Sequence, residues 1–414
     1  MKMPEQGRPW DEVRGDMQAR GAGDAKWRDG RTAVYVFNAG DEIAAIQKEA
    51  YAAFMSENGL GPLAFPSLAQ MEKEVVSMGL DLLQGPAGST GAMTSGGTDS
   101  ITMAIKTARD YARSNGRARE RANIVLPYSA HLAFDKACLL MDIEVRRIPV
   151  KTDGTYEADI PAMSAACDED TVMMVGSAPN FPHGIIDPIE ALSDVAVAKG
   201  VWLHVDACVG GYFAPFARMN GVPVPAFDFE LPGVHSMSAD LHKYGYAAKG
   251  ASTVLFRSEA LHAFMPFDMK EWSGAPMKTP TLAGTRPGGA ISAAWAVMNH
   301  LGVAGYKRLQ GQVCETRERV EEGVKRLGFE ILGTPMLGLV AFRHPKHHAF
   351  AIYGEIYRRG WFTSVTKEPA SLHLMLSPKH ADFIDDYLAD LEASLHAVAS
   401  AEDAEKLKVD ARYS

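Results

Sequence analysis

The stretch "SMSADLHKYGYAAKGAS" at residues 236–252 places His242, Lys243 and Lys249 among small side chains, directly after a strand-like run. A lysine in such a turn can lie in a cleft between its small neighbours. Partial burial and a nearby cation lower the pKa of a lysine and make its amine nucleophilic, and Lys249 could supply that cation for Lys243. An isolated His–Lys pair more often belongs to a solvated surface loop, so other motifs must decide whether this turn forms a site.

A carboxylate ends a second strand-like run. Asp206 lies in "HVDAC" (204–208), at the carboxyl end of the apolar run "VWLHVDA". Ligands bind at this end of the strands in open α/β sheets. A buried carboxylate there must be paired or protonated, and a protonated pyridine nitrogen would be a suitable partner. The alternative is an aspartate that only caps the following turn.

A glycine-rich turn precedes a predicted helix in "TSGGTDS" (94–100). Unpaired backbone N–H groups at a helix N-terminus bind anions such as phosphate, although such turns are common. Combined with Asp206 and Lys243, this turn completes the set that pyridoxal phosphate requires: a phosphate anchor, a partner for the ring nitrogen and an amine for the aldehyde. The predicted phosphate site consists of Ser95, Gly96, Gly97 and Thr98.

Short apolar runs alternate with helical patterns through the first two thirds of the chain, as in "NIVLP" (123–127), "TVMMVGSA" (171–178) and "GASTVLFR" (250–257). This alternation indicates a parallel sheet covered on both faces, so we predict an α/β fold. Mixed strands and helices near the C-terminus indicate a smaller α+β domain. We predict an N-terminal arm and helix at 1–60, a large cofactor-binding α/β domain at 61–304 and a small C-terminal α+β domain at 305–414.

The composition argues against several classes of protein. The chain is 47% hydrophobic and 22% charged, and its net charge of −9 includes no basic block, which argues against a nucleic-acid partner. The four cysteines form no CxxC pair, so we predict no metal site. The N-terminus is polar, and no run reaches the roughly 18 apolar residues that span a membrane. We therefore expect a soluble, cytoplasmic protein.

Several motifs together resemble the sphingosine-1-phosphate lyase family, a branch of the pyridoxal-phosphate-dependent decarboxylase superfamily. The resemblance extends from about Tyr35 to Leu376 and depends on strings that occur in the family's order: "TSGGTDSI", "SAHLAFDKA", "SAPNFPHGIIDPI", "HVDACVGGY", "SADLHKYGYAAKGAS" and "LAGTRPGG". It implies a fold-type-I pyridoxal-phosphate-dependent transferase fold with a mainly parallel, seven-stranded sheet. It also implies a homodimer with active sites at the subunit boundary.

The resemblance implies a cofactor role for individual residues. Lys243 carries pyridoxal phosphate, Asp206 pairs with the ring nitrogen, and His131 stacks on the ring. Further residues are implied to contact the cofactor, mostly at its phosphate, in addition to Ser95 and Gly96: Gly97, Thr98, Ser238, His242 and Thr285.

The resemblance also implies residues that contact the substrate. Lys249 belongs to the pocket for the substrate's phosphate, and Tyr35 reaches the active site from the other subunit. Asn58 and Thr285 face the partner's Lys243 in the same way, and Thr285 replaces the family's serine. Catalysis is assigned to Lys243, Tyr35, Lys249 and His242.

One stretch departs from the family pattern. In "NGLGPLAFP" (58–66), Gly61 and Leu63 stand where the family has a histidine and an aspartate. That histidine belongs to the pocket for the substrate's phosphate. Either this chain binds the phosphate differently, or its substrate is not a phosphorylated sphingoid base.

Three functions are compatible with these patterns. The first is a lyase that cleaves the C2–C3 bond of a phosphorylated sphingoid base, or a similar amino alcohol phosphate, to a fatty aldehyde and phosphoethanolamine. The second is a decarboxylase of L-amino acids, which the change at Gly61 keeps open. The third is a binding protein without catalysis, which the retained Lys243 and Asp206 argue against. The expected partner is a small amine, and for the first function a phosphorylated lipid.

Overall fold

The core of the fold is a seven-stranded sheet, seen in a computed structural model that describes residues 2–117 and 121–401. Its strands are β1 (Thr90–Thr94), β2 (Asn123–Pro127), β3 (Glu144–Ile148), β4 (Thr171–Ser177), β5 (Trp202–Asp206), β6 (Val234–Ala239) and β7 (Ser252–Phe256). Their spatial order is β1-β7-β6-β5-β4-β2-β3, and only β7 runs antiparallel to its neighbours. The predicted α/β fold with a mainly parallel sheet is therefore confirmed.

Helices cover both faces of this sheet. The helices up to residue 262 are α1 (Trp10–Gly21), which has no buried residue, α2 (Asp41–Ala53), α3 (Pro66–Leu82), α4 (Gly97–Ser114), α5 (Ala133–Met141), α6 (Ile160–Ala166), α7 (Ile189–Lys199), α8 (Ala214–Met219) and α9 (Glu259–His262). Successive side chains of a strand point to opposite faces. Accordingly, Met173 and Val175 pack into the core that contains Ile101 of α4, whereas Met174 packs into the other core. Both faces are apolar, which is why these strands read as continuous hydrophobic runs.

The C-terminal part forms a second sheet. After the short hairpin β8 (Phe267–Met269) and β9 (Met277–Thr279), the chain forms the long helix α10 (Gly288–Arg326). The second sheet is antiparallel, in the order β10-β11-β13-β12. Its strands and helices are β10 (Glu330–Ile331), β11 (Leu339–Arg343), α11 (Ala349–Arg358), β12 (Ser364–Lys367), β13 (Ala370–Met375) and α12 (Ile384–Ser400), with 3₁₀ turns at Trp27–Asp29 and Pro378–Asp382.

The predicted boundary between residues 304 and 305 falls inside α10, close to the non-helical residue Gly302. The division into three parts therefore stays a prediction. Residues 1, 118–120 and 402–414 of the predicted ranges lie outside the described residues. Within the described residues, no helix is both long enough and apolar enough to cross a membrane.

An N-terminal segment connects the small sheet to the large domain. The backbone N–H of Ala33 donates to the carbonyl of Phe362 (2.9 Å), and the carbonyl of Ala33 accepts from the N–H of Met375 (2.8 Å). These bonds hold the segment along the small sheet, so Tyr35 lies beside the turn that contains Lys249.

Candidate active site

A cavity of about 340 Å³ opens at the carboxyl ends of β5 and β6, beside the first turn of α4. Parallel strands place their ligand-binding residues at this edge because their carboxyl ends lie together. The predicted residues that line the cavity are Ser95, Gly96, Gly97, Thr98, His131, Asp206, His242 and Lys243. The other lining residues are Asp99, Ile101, Pro179, Phe181, Cys208, Val209 and Asp240.

Lys243 forms an ion pair at the wall of this cavity. Its Nζ lies 3.0 Å from Oδ2 of Asp240, and the Lys243 side chain remains 23% exposed. Burial lowers the pKa of Lys243, but the negative charges of Asp240 and Asp206 outweigh burial and raise the pKa above its ordinary value. The prediction of a lowered pKa was wrong, because it considered the cation of Lys249 and overlooked the carboxylate three residues before Lys243.

Lys249 is the lysine whose pKa is lowered. Its amine donates to the backbone carbonyls of Tyr35 (2.7 Å) and His242 (3.3 Å) in the same chain. Although part of the side chain is exposed, desolvation and the charge of Lys243 lower its pKa to about 8. A substantial fraction of Lys249 is therefore a neutral amine slightly above neutral pH, which lets it accept a proton.

His242 has the backbone contacts of a positioned, neutral imidazole. Its Nδ1 accepts from the N–H of Ala251 (3.2 Å), and its Nε2 lies 3.7 Å from Oδ2 of Asp240. Burial lowers the pKa of His242 to about 4. Near neutral pH this side chain therefore offers a phosphate an N–H donor and not a positive charge.

Asp206 is held at the end of β5. Its Oδ1 accepts from the N–H of Cys208 (3.1 Å) and from the hydroxyl of Ser238 (3.3 Å). Ser238 is fully buried on β6, in register with Asp206, and also contacts Nε2 of His204 (3.2 Å). Ser238 thus contacts the carboxylate of Asp206 and does not line the cavity. The family resemblance had implied that Ser238 lies beside the phosphate ligands.

The turn between β1 and α4 requires its glycines. A Cβ added at Gly97 would lie 2.9 Å from Oδ2 of Asp240 and 2.9 Å from Sγ of Cys208. Only a residue without a side chain lets this helix N-terminus approach the cavity so closely. Ser95 donates both its N–H (3.0 Å) and its hydroxyl (3.1 Å) to Oδ2 of Asp99, so an anion would bind the first-turn amides beyond Ser95.

His131 lies opposite the strand ends. Its Nδ1 accepts from the N–H of Ala133 (3.1 Å), and burial lowers its pKa, which favours the neutral ring. Both His131 and Phe181 also line a neighbouring cavity of about 460 Å³, whose other walls include Leu132 and Val365. A planar group in the cavity that contains Lys243 would therefore have the ring of His131 at one side. The neighbouring cavity, which is largely apolar, would lie next to that ring.

Asn58 and Thr285 lie together, away from this cavity. The N–H of Gly59 donates to the carbonyl of Arg286 (2.9 Å), and Asn58 pairs with Pro287 in an isolated bridge. Asn58 lines a cavity of about 150 Å³ together with the exposed Lys278 and the buried Arg286. Arg286 also forms an ion pair with Glu72.

Sequence reasoning missed Asp240, Arg286 and Lys278. Asp240 could have been found from its place three residues before Lys243, since both side chains leave one tight turn. Arg286 and Lys278 carry no local signal, because their neighbours come from distant parts of the chain.

The cavity fits pyridoxal phosphate. A strand-end carboxylate (Asp206), a lysine amine (Lys243) and a helix N-terminus cleared by Gly97 line the same space, with the ring of His131 beside them. These groups match the pyridine nitrogen, the aldehyde, the phosphate and the ring face of the cofactor. When bound, the cofactor would be held by these residues and would supply an acceptor for the electrons of a broken bond.

Comparison with known proteins agrees with this site. Residues 1–345 match the family model described as the pyridoxal-dependent decarboxylase conserved domain. The chain is 38% identical to a sphingosine-1-phosphate lyase of Oryza sativa subsp. japonica, over 94% of this chain and 73% of the relative. It is 32% identical to a probable L-tyrosine/L-aspartate decarboxylase of Methanothermobacter thermautotrophicus, over 84% of this chain and 93% of the relative.

A solved structure supports the same assignment. The sphingosine-1-phosphate lyase of Burkholderia pseudomallei superposes with a TM-score of 0.91 at 35% sequence identity, covering 96% of this chain and 92% of that chain. These matches confirm the predicted fold type, the pyridoxal phosphate cofactor and the lyase class. The chain therefore belongs to the pyridoxal-dependent decarboxylase family and, within it, to the sphingosine-1-phosphate lyase family of pyridoxal-phosphate-dependent enzymes.

Proposed function

We propose that this lyase cleaves the C2–C3 bond of a phosphorylated sphingoid base, or a similar amino alcohol phosphate, to a fatty aldehyde and phosphoethanolamine. The observation that carries the proposal is the position of Lys249, whose amine donates to the carbonyl of Tyr35 (2.7 Å) six residues after Lys243 and whose pKa is lowered. Cleavage next to a hydroxyl needs a base for the hydroxyl proton, whereas decarboxylation does not. Similarity to relatives named sphingosine-1-phosphate lyase supports the same choice.

Lys243 and Asp206 line the cavity and would hold the cofactor at its aldehyde and at its ring nitrogen. Lys249 and Tyr35 do not line the cavity and lie together beside the turn of Lys243. The neutral amine of Lys249 takes the proton from the 3-hydroxyl as the carbon–carbon bond breaks, and Tyr35 is the second candidate for that transfer. The ammonium of Lys249 then holds the proton that C2 needs to complete the amine product.

We propose that the substrate's alkyl chain occupies the neighbouring cavity of about 460 Å³. The support is its continuity with the cofactor cavity, since His131 and Phe181 line both. Leu132 and Val365 add apolar wall on the far side, which suits a hydrocarbon.

We propose that Lys278 contributes to phosphate binding in place of the family histidine that is Gly61 here. Lys278 lines the small cavity that also contains Asn58 and Arg286. Lys278 is exposed on β9, where its cross-strand partner is Asp268, and its place in the cavity wall lets it reach an anion there. A charge-assisted hydrogen bond from a lysine would offset the donor that Gly61 lacks.

We propose a homodimer in the cytoplasm. Asn58 and Thr285 belong to adjoining surface segments of one chain, which suits a patch that faces the partner's cavity. The backbone carbonyl of Tyr35 accepts from Lys249 of the same chain, while its side chain is 40% exposed and can reach the partner's cavity. The four free cysteines suit a reducing compartment. Sedimentation of the purified protein tests the dimer, and a fully active monomer would contradict it.

Product identification tests the reaction. The purified, cofactor-loaded protein is incubated with phosphosphingosine and, separately, with unphosphorylated sphingosine, and the products are identified by mass spectrometry. A long-chain aldehyde and phosphoethanolamine from the first substrate are expected. Aldehyde from neither substrate would refute the proposal.

An L-amino-acid decarboxylase is the second candidate. The 32% identity with a probable L-tyrosine/L-aspartate decarboxylase favours it, together with the missing histidine at Gly61. A panel of amino acids assayed for carbon dioxide distinguishes the two functions. Carbon dioxide without aldehyde would replace the first proposal by the second.

A further inference from the structure

Asp240 is a buried carboxylate that no part of the proposed reaction uses. It follows β6 directly, is 2% exposed, and its N–H donates to the carbonyl of Cys208 (3.3 Å). Its two carboxylate oxygens lie 2.9 and 3.1 Å from the position that a Cβ of Gly97 would take, so they lie against the first turn of α4. The carboxylate is thus fixed between a strand end and a helix N-terminus.

This carboxylate holds the amine of Lys243. The Nζ–Oδ2 distance of 3.0 Å is that of a direct ion pair, whereas Nε2 of His242 is more distant at 3.7 Å. A buried carboxylate without a partner is strongly destabilising, so Asp240 needs the cation as much as the amine needs the anion. The pair therefore fixes where the amine lies at the cavity wall.

The groups that face Lys243 come from several elements. Asp206 ends β5 and Cys208 follows it, Asp99 belongs to α4, and His131 precedes α5. Asp240, His242 and Lys249 share the turn of Lys243. Burial leaves His131 and His242 neutral near pH 7 by lowering their pKa values, and it keeps the Cys208 thiol protonated by raising its pKa. The carboxylates are therefore the charges that stabilise a protonated Lys243.

An ammonium group cannot attack an aldehyde, because its nitrogen has no free electron pair. The carboxylate oxygen at 3.0 Å is the acceptor in direct contact with the amine. Burial acts to raise the pKa of Asp240, but the charge of Lys243 outweighs burial and lowers that pKa, so the charged pair is the stable form of the two groups. In this pair neither group is left charged without a partner.

We propose that Asp240 is the positioning residue that keeps Lys243 protonated and fixed at the cavity wall in the cofactor-free protein. The proposal rests on Lys243 being the cofactor lysine of the proposed function. Its test uses neither substrate nor turnover, so its failure and the failure of the proposed reaction are distinguishable.

The test is amine labelling of the cofactor-free protein across a pH series. Reductive methylation modifies neutral amines, and mass spectrometry of the peptides reports each lysine separately. In the wild type, Lys249 should be labelled at lower pH than Lys243, whose side chain is 23% exposed and open to the reagent. In Asp240→Asn the labelling midpoint of Lys243 should fall by at least one pH unit, which is about a tenfold faster reaction at fixed pH.

Asp228→Asn is the matched control. Asp228 is fully buried and pairs with Arg218 at 2.9 Å, so its loss also removes a buried charge but leaves the surroundings of Lys243 intact. The Lys243 midpoint should stay at the wild-type value in this variant. An equal shift of the Lys243 midpoint in Asp240→Asn and Asp228→Asn would mean that loosened structure causes the effect. That result would overturn the proposal.

Two further results would overturn it. One is an unchanged Lys243 midpoint in a folded Asp240→Asn protein, with folding checked by circular dichroism. The other is wild-type Lys243 reacting at the same pH as Lys249. The second comparison needs no variant and therefore decides the question even if Asp240→Asn does not fold.

Discussion

The close contact at Gly97 makes Gly97→Ala a direct test of the site geometry. The new Cβ would lie 2.9 Å from both Oδ2 of Asp240 and Sγ of Cys208, closer than such atoms normally approach. Neither neighbour can move freely, since Asp240 is 2% and Cys208 6% exposed. Overpacking of this kind costs about 1–3 kcal/mol, so the free energy of unfolding should fall by that amount.

Cofactor binding should weaken as well, because α4 must shift its N-terminus away from the cavity to relieve the contact. If the same 1–3 kcal/mol is lost from binding, Kd rises about 5- to 140-fold. Urea unfolding of the cofactor-free protein measures the first effect, and absorbance titration with pyridoxal phosphate measures the second.

The control is Gly15→Ala, in the exposed helix α1. A Cβ there has no heavy atom within 4 Å, so the change should not destabilise the protein and should leave cofactor binding unaltered. Wild-type values of both quantities for Gly97→Ala would refute the view that this glycine brings the helix N-terminus to the cavity.

Three further predictions concern the lysines. Borohydride treatment of the cofactor-loaded protein should attach the cofactor to Lys243, and Lys243→Ala should retain none; a label mapped to another residue would contradict the assignment. Lys249 must be neutral to accept a proton and its pKa is lowered to about 8 in the substrate-free protein, so kcat/KM should fall about tenfold per pH unit below that value. Lys249→Met should lower kcat about 10²- to 10⁴-fold and abolish this pH dependence, and a flat wild-type profile would argue against the base. Lys278→Met should raise KM about tenfold for a phosphorylated substrate while leaving kcat unchanged, and an equal effect on the unphosphorylated form would exclude a phosphate contact.

The two lysines of this turn show that the pKa of a lysine depends on which groups lie near its amine in three dimensions. Both Lys243 and Lys249 lie in the segment between β6 and β7, yet the pKa of the first is raised and that of the second is lowered. The difference arises because Asp240 lies 3.0 Å from the amine of Lys243, whereas Lys249 donates to two uncharged carbonyls. Spacing along the chain does not distinguish these environments.

The sequence by itself determined the sheet, the cofactor motifs and the family, because these depend on local patterns. Continuous apolar runs such as "TVMMVGS" specify strands buried on both faces, and the Gly-Gly turn specifies a helix start that must come close to a ligand. Only the tertiary structure decided that Ser238 contacts Asp206, that Tyr35 lies beside Lys249 of its own chain, and that His242 is neutral. These features depend on burial and on contacts between segments that are far apart in the chain, and a linear pattern contains neither.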